Sequence, residues 1–302
     1  MNVLITGASG FVGQYLVDFF LGKKFNVSSL GRSEVSNVKN YILPKKWNKN
    51  DLVNIILEAK PDYLFHLAGS SQSDSFSESF NINTCFGSDL LDALSVSGFN
   101  KRTRCLFFGS ASEYGAIKDV DLPLSEDFCC KPYTYYGISK LAQTHYAAAW
   151  GSSGGKVVII RPFTILGKYM PEQMAIGSFV KQINEISKKS GKGILHTGNI
   201  DISRDFVDVF DIVKICWKLV NLNKASGQVV NICSGRPLSL KVMIDYMINL
   251  TSVNVSIQVE ERRLVQVDIK THYGDNSKLL DLLGKFEFIP WKESVKKMLG
   301  VS

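Results

Sequence analysis

The sequence predicts an α/β fold, a doubly wound parallel sheet combined with a smaller α/β domain. Three observations predict it. In the first half, short apolar runs alternate with segments of helical periodicity, as repeated β–α–β units require. A glycine-rich turn, residues 7–13, lies between the first apolar run and the first helical segment. After Pro162 the alternation loosens into a mixture of shorter elements, which indicates a second, smaller region.

The predicted elements of the first half follow in chain order. Its strands are predicted at 3–6, 26–30, 63–67, 105–109 and 157–161. Its helices are predicted from the glycine-rich turn to 21, and at 51–59, 83–97 and 135–150. The helix 51–59 shows the basis of these assignments, because Leu52, Ile55 and Ile56 recur at helical spacing and Pro61 follows.

The second half is predicted with less regular alternation. Helices are predicted at 176–189, 209–222, 240–250 and 277–283. Strands are predicted at 194–196, 229–233 and 257–259. Some of these segments are expected to return and pack on the first sheet, because strands and helices in such proteins share one layered core.

The composition is that of an ordinary globular protein. The 302 residues are 45% hydrophobic, and 35 Lys+Arg against 28 Asp+Glu give a net charge of +7. The basic residues are scattered, so nucleic acid is not an expected partner. The apolar runs are too short for a membrane span, and no signal peptide pattern is found at the N-terminus. The cysteines form no CxxC pair and the histidines show no metal spacing, which predicts a reducing, cytoplasmic location and no metal.

The glycine-rich turn is typical of a dinucleotide site. Gly7, Gly10 and Gly13 have the spacing GxxGxxG after a strand and before a helix. Glycines let the backbone approach a pyrophosphate, and the helix N-terminus favours negative charge there. A plain turn would explain the glycines but not their placement. The predicted cradle consists of Gly7, Ser9, Gly10, Phe11, Val12 and Gly13.

The end of the second predicted strand indicates which dinucleotide is bound. NAD sites usually carry a carboxylate there, whereas an arginine accepts the 2′-phosphate of NADP. The sequence at this point is Leu30-Gly31-Arg32-Ser33, without an acid. Arg32 can form a forked contact with the phosphate, and Ser33 can assist. NADP(H) is therefore the predicted cofactor, and a solvent-facing loop arginine is the competing interpretation.

A tyrosine and a lysine four residues apart form a candidate catalytic pair. On a helix, Tyr136 and Lys140 lie on one face. The ammonium is expected to lower the pKa of the phenol, so that it can transfer a proton near neutral pH. Ser110 follows a predicted strand, where open α/β sheets bind ligands, and can hydrogen-bond a carbonyl or hydroxyl. A surface Tyr/Lys pair is the alternative for this spacing taken alone.

Further motifs extend over nearly the whole chain. They are GASGFVG, His66-Leu67-Ala68-Gly69, Asn83, Gly109-Ser110, Glu113-Tyr114-Gly115, Tyr136/Lys140, Arg161-Pro162-Phe163, the run 203–209 and the run 231–235. With them the chain resembles the extended short-chain dehydrogenase/reductase family, whose members act mainly on nucleotide sugars. The resemblance implies a Rossmann fold with a smaller α/β substrate-binding domain.

The resemblance also implies roles for individual residues. Ser110, Tyr136 and Lys140 would be the catalytic triad, with Tyr136 as acid/base and Lys140 also holding the nicotinamide ribose. The expected cofactor channel contains Leu67, Ala68, Gly69 and Pro162.

The position two residues after the catalytic serine separates chemistries within the family. Dehydratases carry a glutamate there, and some epimerase/reductases carry a cysteine. Here it is Ser112, which has no useful pKa near 7, so simple hydride transfer is expected. A slide of one residue would instead place Glu113 there and restore a dehydratase acid. Both Ser112 and Glu113 are expected near the substrate.

The second half is most similar to the branch of reductases that act on GDP-4-dehydro-6-deoxy-D-mannose. The matching segments are 198–205 and 274–279. The resemblance implies that Arg204 approaches the nucleotide diphosphate and that Lys181 lies near the base and phosphates. A surface salt bridge is the alternative for both side chains.

Two positions depart from the family pattern. Thr164 stands where a substrate-contacting asparagine is usual. The usual diphosphate-binding arginine falls on Val265, so Arg262 or Arg263 is expected to supply its charge.

These expectations combine into one function, the NADPH-dependent reduction of the C4 keto group of a nucleotide-linked 4-keto-6-deoxy sugar. The GDP-linked sugar and a role in surface polysaccharide (lipopolysaccharide) biosynthesis are expected. Two alternatives stay open. One is a 4-epimerase or 4,6-dehydratase with tightly bound NAD, and the other is a non-catalytic NADP-sensing regulator.

The expected domain organisation follows the same resemblance. Residues 1–165 would form the dinucleotide-binding domain, with 205–235 packing back onto it. Residues 166–204 and 236–302 would form the substrate-binding domain. A homodimer through the helices 83–97 and 136–150 is the expected assembly.

Overall fold

The computed structural model describes residues 1–44, 46–71, 75–189, 191–261 and 269–301. Its strands are β1 (Asn2–Thr6), β2 (Asn26–Gly31), β3 (Lys39–Ile42), β4 (Tyr63–His66), β5 (Arg104–Phe108), β6 (Lys156–Pro162), β7 (Thr164–Leu166), β8 (Lys192–Thr197), β9 (Ser203–Asp208), β10 (Val229–Ile232), β11 (Pro237–Ser239), β12 (Asn254–Val259) and β13 (Thr271–His272). Its α-helices are α1 (Phe11–Gly22), α2 (Lys49–Ala59), α3 (Phe76–Phe80), α4 (Phe86–Val96), α5 (Tyr135–Ser152), α6 (Ala175–Lys189), α7 (Val209–Asn221), α8 (Leu240–Thr251), α9 (Ser277–Leu283) and α10 (Trp291–Leu299).

The main sheet confirms the predicted fold class. Its seven strands are ordered β10-β6-β5-β4-β1-β2-β3, and every neighbouring pair is parallel. The chain runs outward from β1 through β2 to β3 and then returns to place β4 on the other side of β1. Ligands of open α/β sheets bind where the strand order reverses in this way, outside the carboxyl ends of the strands.

The central strands β1, β4, β5 and β6 are mostly apolar and buried because helices cover both faces of the sheet. Val3, Leu4 and Ile5 of β1 are each at most 1% exposed. On one face, α1 and α7 bury Leu16, Phe20, Ile212 and Ile215 against the strands. On the other face, α2, α4 and α5 contribute Leu52, Ile56, Leu90, Leu94 and Trp150.

The second region has a core of its own. Strand β9 pairs with β11, β13 and β7, and β8 pairs with β12. Helices α6, α8 and α10 pack together through Ile176, Phe179, Ile183, Met243, Met247 and Val295. Phe11 at the start of α1 packs against this core, so the glycine-rich turn lies where the two regions meet.

Some elements differ from the sequence-based expectation. The predicted helix 83–97 is divided, because Asn81–Cys85 is a π-helical turn and α4 starts only at Phe86. Strand β3 was not predicted, since it lies at the sheet edge and buries only Tyr41 of its four residues. Strand β9 was not predicted either, because its first half is polar.

Candidate active site

The turn after β1 is built so that only glycine fits at two of its positions. Gly7 has φ +69°, and a Cβ there would lie 2.8 Å from the Ala68 backbone nitrogen. At Gly13 a Cβ would lie 2.2 Å from the Gly7 carbonyl oxygen. Helix α1 begins after Gly10 with no acidic residue in its first turn. The helix N-terminus therefore presents free N–H groups to an anion.

A cavity of about 250 Å³ adjoins this turn on the side of β2. Arg32 and Ser33 line it, directly after the carboxyl end of β2. Trp47 forms another part of the wall, with its indole N–H donating to Asp89 (3.1 Å) and its ring against Phe86 (centroids 5.1 Å apart). The cavity thus offers an exposed guanidinium on one wall and apolar rings on another. Trp47 was missed by the sequence analysis, where no pattern distinguished it from a core residue.

A larger cavity of about 620 Å³ opens from the other side of the same turn. The two cavities share Gly7, Gly10, Leu67 and Gly69 in their walls, so they adjoin at the glycine-rich turn, and together they are called the cleft below. The larger one brings together most of the predicted site residues. Its walls include Phe11, Val12, Gly13, Ser110, Ser112, Tyr136, Lys140, Pro162, Thr164 and Arg204, while Ser9 and Ala68 line the smaller cavity.

The candidate catalytic pair, Tyr136 and Lys140, lies at the start of α5. Thr134 caps this helix by accepting the Gly137 N–H (3.0 Å). Tyr136 and Lys140 follow on one face, as their spacing predicts, and both line the larger cavity. Lys140 is buried and donates to the Gln143 side-chain oxygen (2.9 Å).

The electrostatics of this pair differ from the expectation. Burial raises the pKa of Tyr136, a hydrogen bond with Ser110 opposes this, and the negative charge of Glu113 adds to the increase. Burial also lowers the pKa of Lys140 to about 8. The expectation that Lys140 lowers the Tyr136 pKa is therefore wrong for this arrangement, because desolvation of the phenolate dominates. Tyr136 is a protonated phenol at neutral pH.

Ser110 lies at the carboxyl end of β5, where it caps the short 3-10 turn Ala111–Glu113. Its hydroxyl oxygen accepts the Ser112 N–H (3.1 Å), and the same hydroxyl hydrogen-bonds the Tyr136 phenol. Ser112 is exposed and lines the cavity. Both serines therefore face the cleft.

Glu113 does not face the cleft. Its side chain is fully buried behind Ser110, and Arg161 donates to it at 2.8 Å. This corrects the expectation that Glu113 contacts substrate, and also the alternative in which it replaces the dehydratase acid. The reason is the 3-10 turn, which directs its third residue inward while Ser112 points outward.

The remaining predicted residues are divided between the cleft and the surface. Arg204 lies in the wall of the cleft, with one guanidinium nitrogen donating to the Ser203 and Ile269 carbonyls (both 2.8 Å). Lys181 lies outside the cleft on the exposed surface, where it pairs with Glu172, because α6 directs this position toward solvent. This corrects the expected substrate contact of Lys181 in favour of the surface salt bridge. Arg262 and Arg263 lie outside the described residues.

His272 is a cleft residue that the sequence analysis missed. It stacks on Phe163 with ring centroids 5.1 Å apart and lines the larger cavity. Burial and the neighbouring Arg204 lower its pKa to about 4, so the ring is neutral at pH 7. The only local signal was its place just before the motif 274–279.

Asn83, one of the motif residues, connects the loop after β4 with α5, the helix that carries Tyr136 and Lys140. Its side-chain oxygen accepts the Ser70 N–H (2.7 Å), and its amide donates to the Ser70 carbonyl (3.0 Å) and the Ser139 hydroxyl (2.9 Å). The π-helical turn that contains Asn83 therefore holds the loop after β4 against α5.

Comparison with known proteins gives the family. Residues 3–233 match the NAD dependent epimerase/dehydratase family. The chain belongs to this family. Its members are extended short-chain dehydrogenases/reductases, so the chain is an NAD(P)-binding oxidoreductase of the type that modifies nucleotide sugars.

Three relatives are most informative. The GDP-6-deoxy-D-mannose reductase of Pseudomonas aeruginosa is 27% identical over 99% of this chain and 96% of the reductase. The GDP-6-deoxy-D-talose 4-dehydrogenase of Aggregatibacter actinomycetemcomitans is 27% identical over 94% and 92%. The structure of RMD from Pseudomonas aeruginosa complexed with NADPH superposes with a TM-score of 0.83 at 25% identity, covering 99% and 98%. Epimerases and a GDP-mannose 4,6-dehydratase are also relatives.

The site of this epimerase/dehydratase family member fits a dinucleotide. The space that a Cβ at Gly13 would need is occupied by backbone, and the helix N-terminus is free of acidic side chains.

Within the described residues, no group of three His, Cys, Asp or Glu side chains could hold a metal ion. No helix in the described ranges is long and apolar enough to cross a membrane.

Proposed function

We propose that the protein reduces the C4 keto group of a nucleotide-linked 4-keto-6-deoxy sugar with NADPH, and that the sugar is GDP-linked. One observation carries the proposal. Ser110, Tyr136 and Lys140 line the larger cavity beside the glycine-rich cradle, and Arg32 lines the smaller cavity on the other side of that cradle. A bound dinucleotide can therefore extend from Arg32 to the catalytic side chains. The GDP-sugar enzymes among the relatives support the choice of sugar.

The chemistry of the cleft favours reduction over the alternatives. NADPH would supply a hydride to the carbonyl carbon. The Ser110 hydroxyl orients the carbonyl by donating to its oxygen, and Tyr136 delivers the proton that the forming alkoxide needs. A raised pKa keeps Tyr136 protonated, which is the form that a reduction requires. An epimerase that first oxidises its sugar requires the phenolate instead.

The contacts that bind the substrate act on parts of it that are remote from the reacting carbon. Arg204 in the cleft wall can bind the diphosphate, and Thr164 can hydrogen-bond the sugar. Such distant binding energy aligns C4 with the hydride donor. Ser112, at the position where dehydratases carry an acid, has no proton to exchange near pH 7. Elimination of water therefore lacks its catalyst.

The test is NADPH oxidation measured with GDP-, dTDP- and CDP-4-keto-6-deoxy sugars, with NMR of each product. We expect loss of NADPH absorbance with the GDP sugar and a 4-hydroxy product. Conversion of a nucleotide sugar without net NADPH consumption would show an epimerase or dehydratase. NADPH binding without turnover of any sugar would show a sensing protein.

The Tyr136→Phe variant tests the assigned proton donor. We expect turnover to fall by roughly 10²-fold or more, because general acid catalysis contributes that much. NADPH affinity, measured by titration, should remain close to that of the wild type. Near-native turnover of this variant would contradict the role of Tyr136.

The proposal includes a homodimer in the cytoplasm. Helices α4 and α5 pack side by side, and Tyr135 and Tyr146 of α5 are exposed. A second copy covering this side would bury both rings. All six cysteines are free thiols, as a reducing compartment requires.

A further inference from the structure

Glu113 is a buried carboxylate that the proposed mechanism does not use. It is 0% exposed, and two of its three hydrogen-bond donors are Ser110 and Thr144, which follows Lys140 by about one helical turn. Oε1 accepts the Ser110 backbone N–H (2.8 Å) and the Thr144 hydroxyl (3.0 Å). Oε2 accepts from the Arg161 Nε (2.8 Å). A single oxygen thus connects the end of β5 with the middle of α5.

Thr144 is on the catalytic face of its helix. It follows Lys140 by four residues and Tyr136 by eight, so the three side chains form one row. The position of this row relative to Ser110 decides whether the phenol and the serine hydroxyl meet at one carbonyl oxygen. Glu113 is the only side chain in the described residues that hydrogen-bonds both Thr144 and the Ser110 backbone.

Gly109 leaves room for the contact between Glu113 and Thr144. A Cβ at Gly109 would lie 2.4 Å from Glu113 Oε1 and 3.2 Å from the Thr144 hydroxyl oxygen. Gly109 therefore lets the carboxylate fit between the strand end and the helix. On the far side, Arg161 stacks over the Tyr114 ring (5.0 Å), whose hydroxyl donates to Asn231 (2.6 Å).

We infer that Glu113 is a positioning residue, which fixes the distance between Ser110 and the face of α5 that carries Tyr136 and Lys140. The inference rests on the proposed function in one respect, because the effect on kcat must be measured in the reaction that the protein catalyses. A misplacement of the serine by a fraction of an ångström would separate the two proton donors that must act on one oxygen.

Substitution of Glu113 itself is a poor test. It would leave the Arg161 guanidinium buried without its partner carboxylate, which destabilises the whole protein. The Thr144 hydroxyl offers a milder test, because Thr144→Val removes one hydrogen bond and keeps the shape of the side chain. Thr144→Ser restores the hydroxyl.

Thr103→Val is the matched control. Thr103 is 0% exposed, as Thr144 is 2% exposed, and its hydroxyl donates to the Pro61 carbonyl (2.7 Å) at the opposite end of β5. Both variants lose one buried hydroxyl bond, so their thermal stabilities should fall by similar amounts. Only Thr144→Val removes a bond to Glu113.

We expect Thr144→Val to lower kcat about tenfold with the KM for NADPH unchanged, Thr144→Ser to recover most of it, and Thr103→Val to retain wild-type kcat. Hydrogen exchange read by mass spectrometry should show residues 109–113 exchanging about fivefold faster in Thr144→Val than in Thr103→Val. Equal kcat and equal exchange in the two valine variants would overturn the inference.

The two readouts separate this inference from the proposed function. The kcat comparison uses whichever nucleotide sugar the wild type converts, by reduction or otherwise. The exchange comparison needs no substrate at all. If the wild type reduces no sugar while the exchange difference is found, the proposed function fails and the positioning role stands.

Discussion

Lys140 holds its charge in an environment that disfavours charge. It is 2% exposed, and burial lowers its pKa from 10.5 to about 8. The unfolded chain therefore binds this proton more tightly than the folded protein does. The resulting cost in stability is complete below pH 8 and disappears as the pH rises toward 10.5. A lysine kept in such a place despite its cost is typical of a functional site.

The Lys140→Met variant should show this cost directly. We expect the unfolding free energy of the variant, relative to wild type, to be greatest at pH 7. The difference should shrink by on the order of 2 kcal/mol by pH 10. Denaturant unfolding at both pH values measures it, and Lys101→Met on an exposed lysine is the control. A difference independent of pH would contradict burial as the cause.

Arg32 determines the expected preference for NADPH. Removal of a charge-assisted hydrogen bond to the 2′-phosphate costs about 1.5–3 kcal/mol. Arg32→Ala should therefore raise the KM for NADPH by roughly 10- to 100-fold while leaving the KM for NADH nearly unchanged. Arg102→Ala, at an exposed arginine paired with Asp62 near the opposite end of β5, is the control. Equal losses for both cofactors would argue against a 2′-phosphate contact.

At the scale of residues, the sequence predicted which residue types form the site, but not which way every side chain points. Ser110, Tyr136 and Lys140 could be found because helix spacing and strand ends carry a signal. Whether Glu113 or Ser112 faces the cleft depends on a single 3-10 turn. A turn of three residues is too short to show a hydrophobic periodicity in the sequence. His272 reached the cleft only through tertiary packing.

At the scale of elements, a glycine allows helix α1 to approach the turn after β1 closely. Gly13 has backbone on the side where a Cβ would lie, whereas Gly22, in the last turn of the same helix, has no atom within 4 Å of that position. Substitution of Gly22 therefore tests the effect of helix propensity alone, whereas substitution of Gly13 also tests the effect of close packing.

Gly13→Ala and Gly22→Ala should have opposite effects. Gly13→Ala should push the helix from the turn, lower the melting temperature and abolish tight NADPH binding. Gly22→Ala should raise stability by roughly 0.5–1 kcal/mol, because alanine favours the helix. Thermal unfolding and NADPH titration measure both effects. A Gly13→Ala variant that binds NADPH normally would contradict the close approach.

The predictability of elements follows from their burial. β1 is covered on both faces, so its apolar run was recognisable, and the observed bounds differ by one residue. β9 was not recognisable from the sequence, because Asp205 in this strand is a buried polar residue. Its carboxylate accepts hydrogen bonds from the N–H groups of Ser234 (2.7 Å) and Gly235 (3.0 Å). A carboxylate satisfied by loops distant in sequence gives a strand no apolar signature.

At the scale of the whole molecule, the cleft is assembled from segments far apart in the chain. The glycine-rich turn comes from residues 7–13, Tyr136 and Lys140 from α5, and Arg204 and His272 from the second region. The parallel arrangement of the main sheet was predictable, since alternating strands and helices favour a parallel sheet. Which residues of the second region meet the cleft was not, because that depends on how its sheets are placed.

The strand β10 has a consequence for how the protein is made. It pairs with β6, although β6 ends at Pro162 and β10 begins only at Val229. Between them the ribosome must synthesise β8, β9 and the helices around them. During that interval the nascent chain presents β6 as an unpaired edge, with a row of N–H and C=O groups open to other polypeptides. Completion of the nucleotide-binding sheet thus awaits synthesis of much of the region that faces it across the cleft.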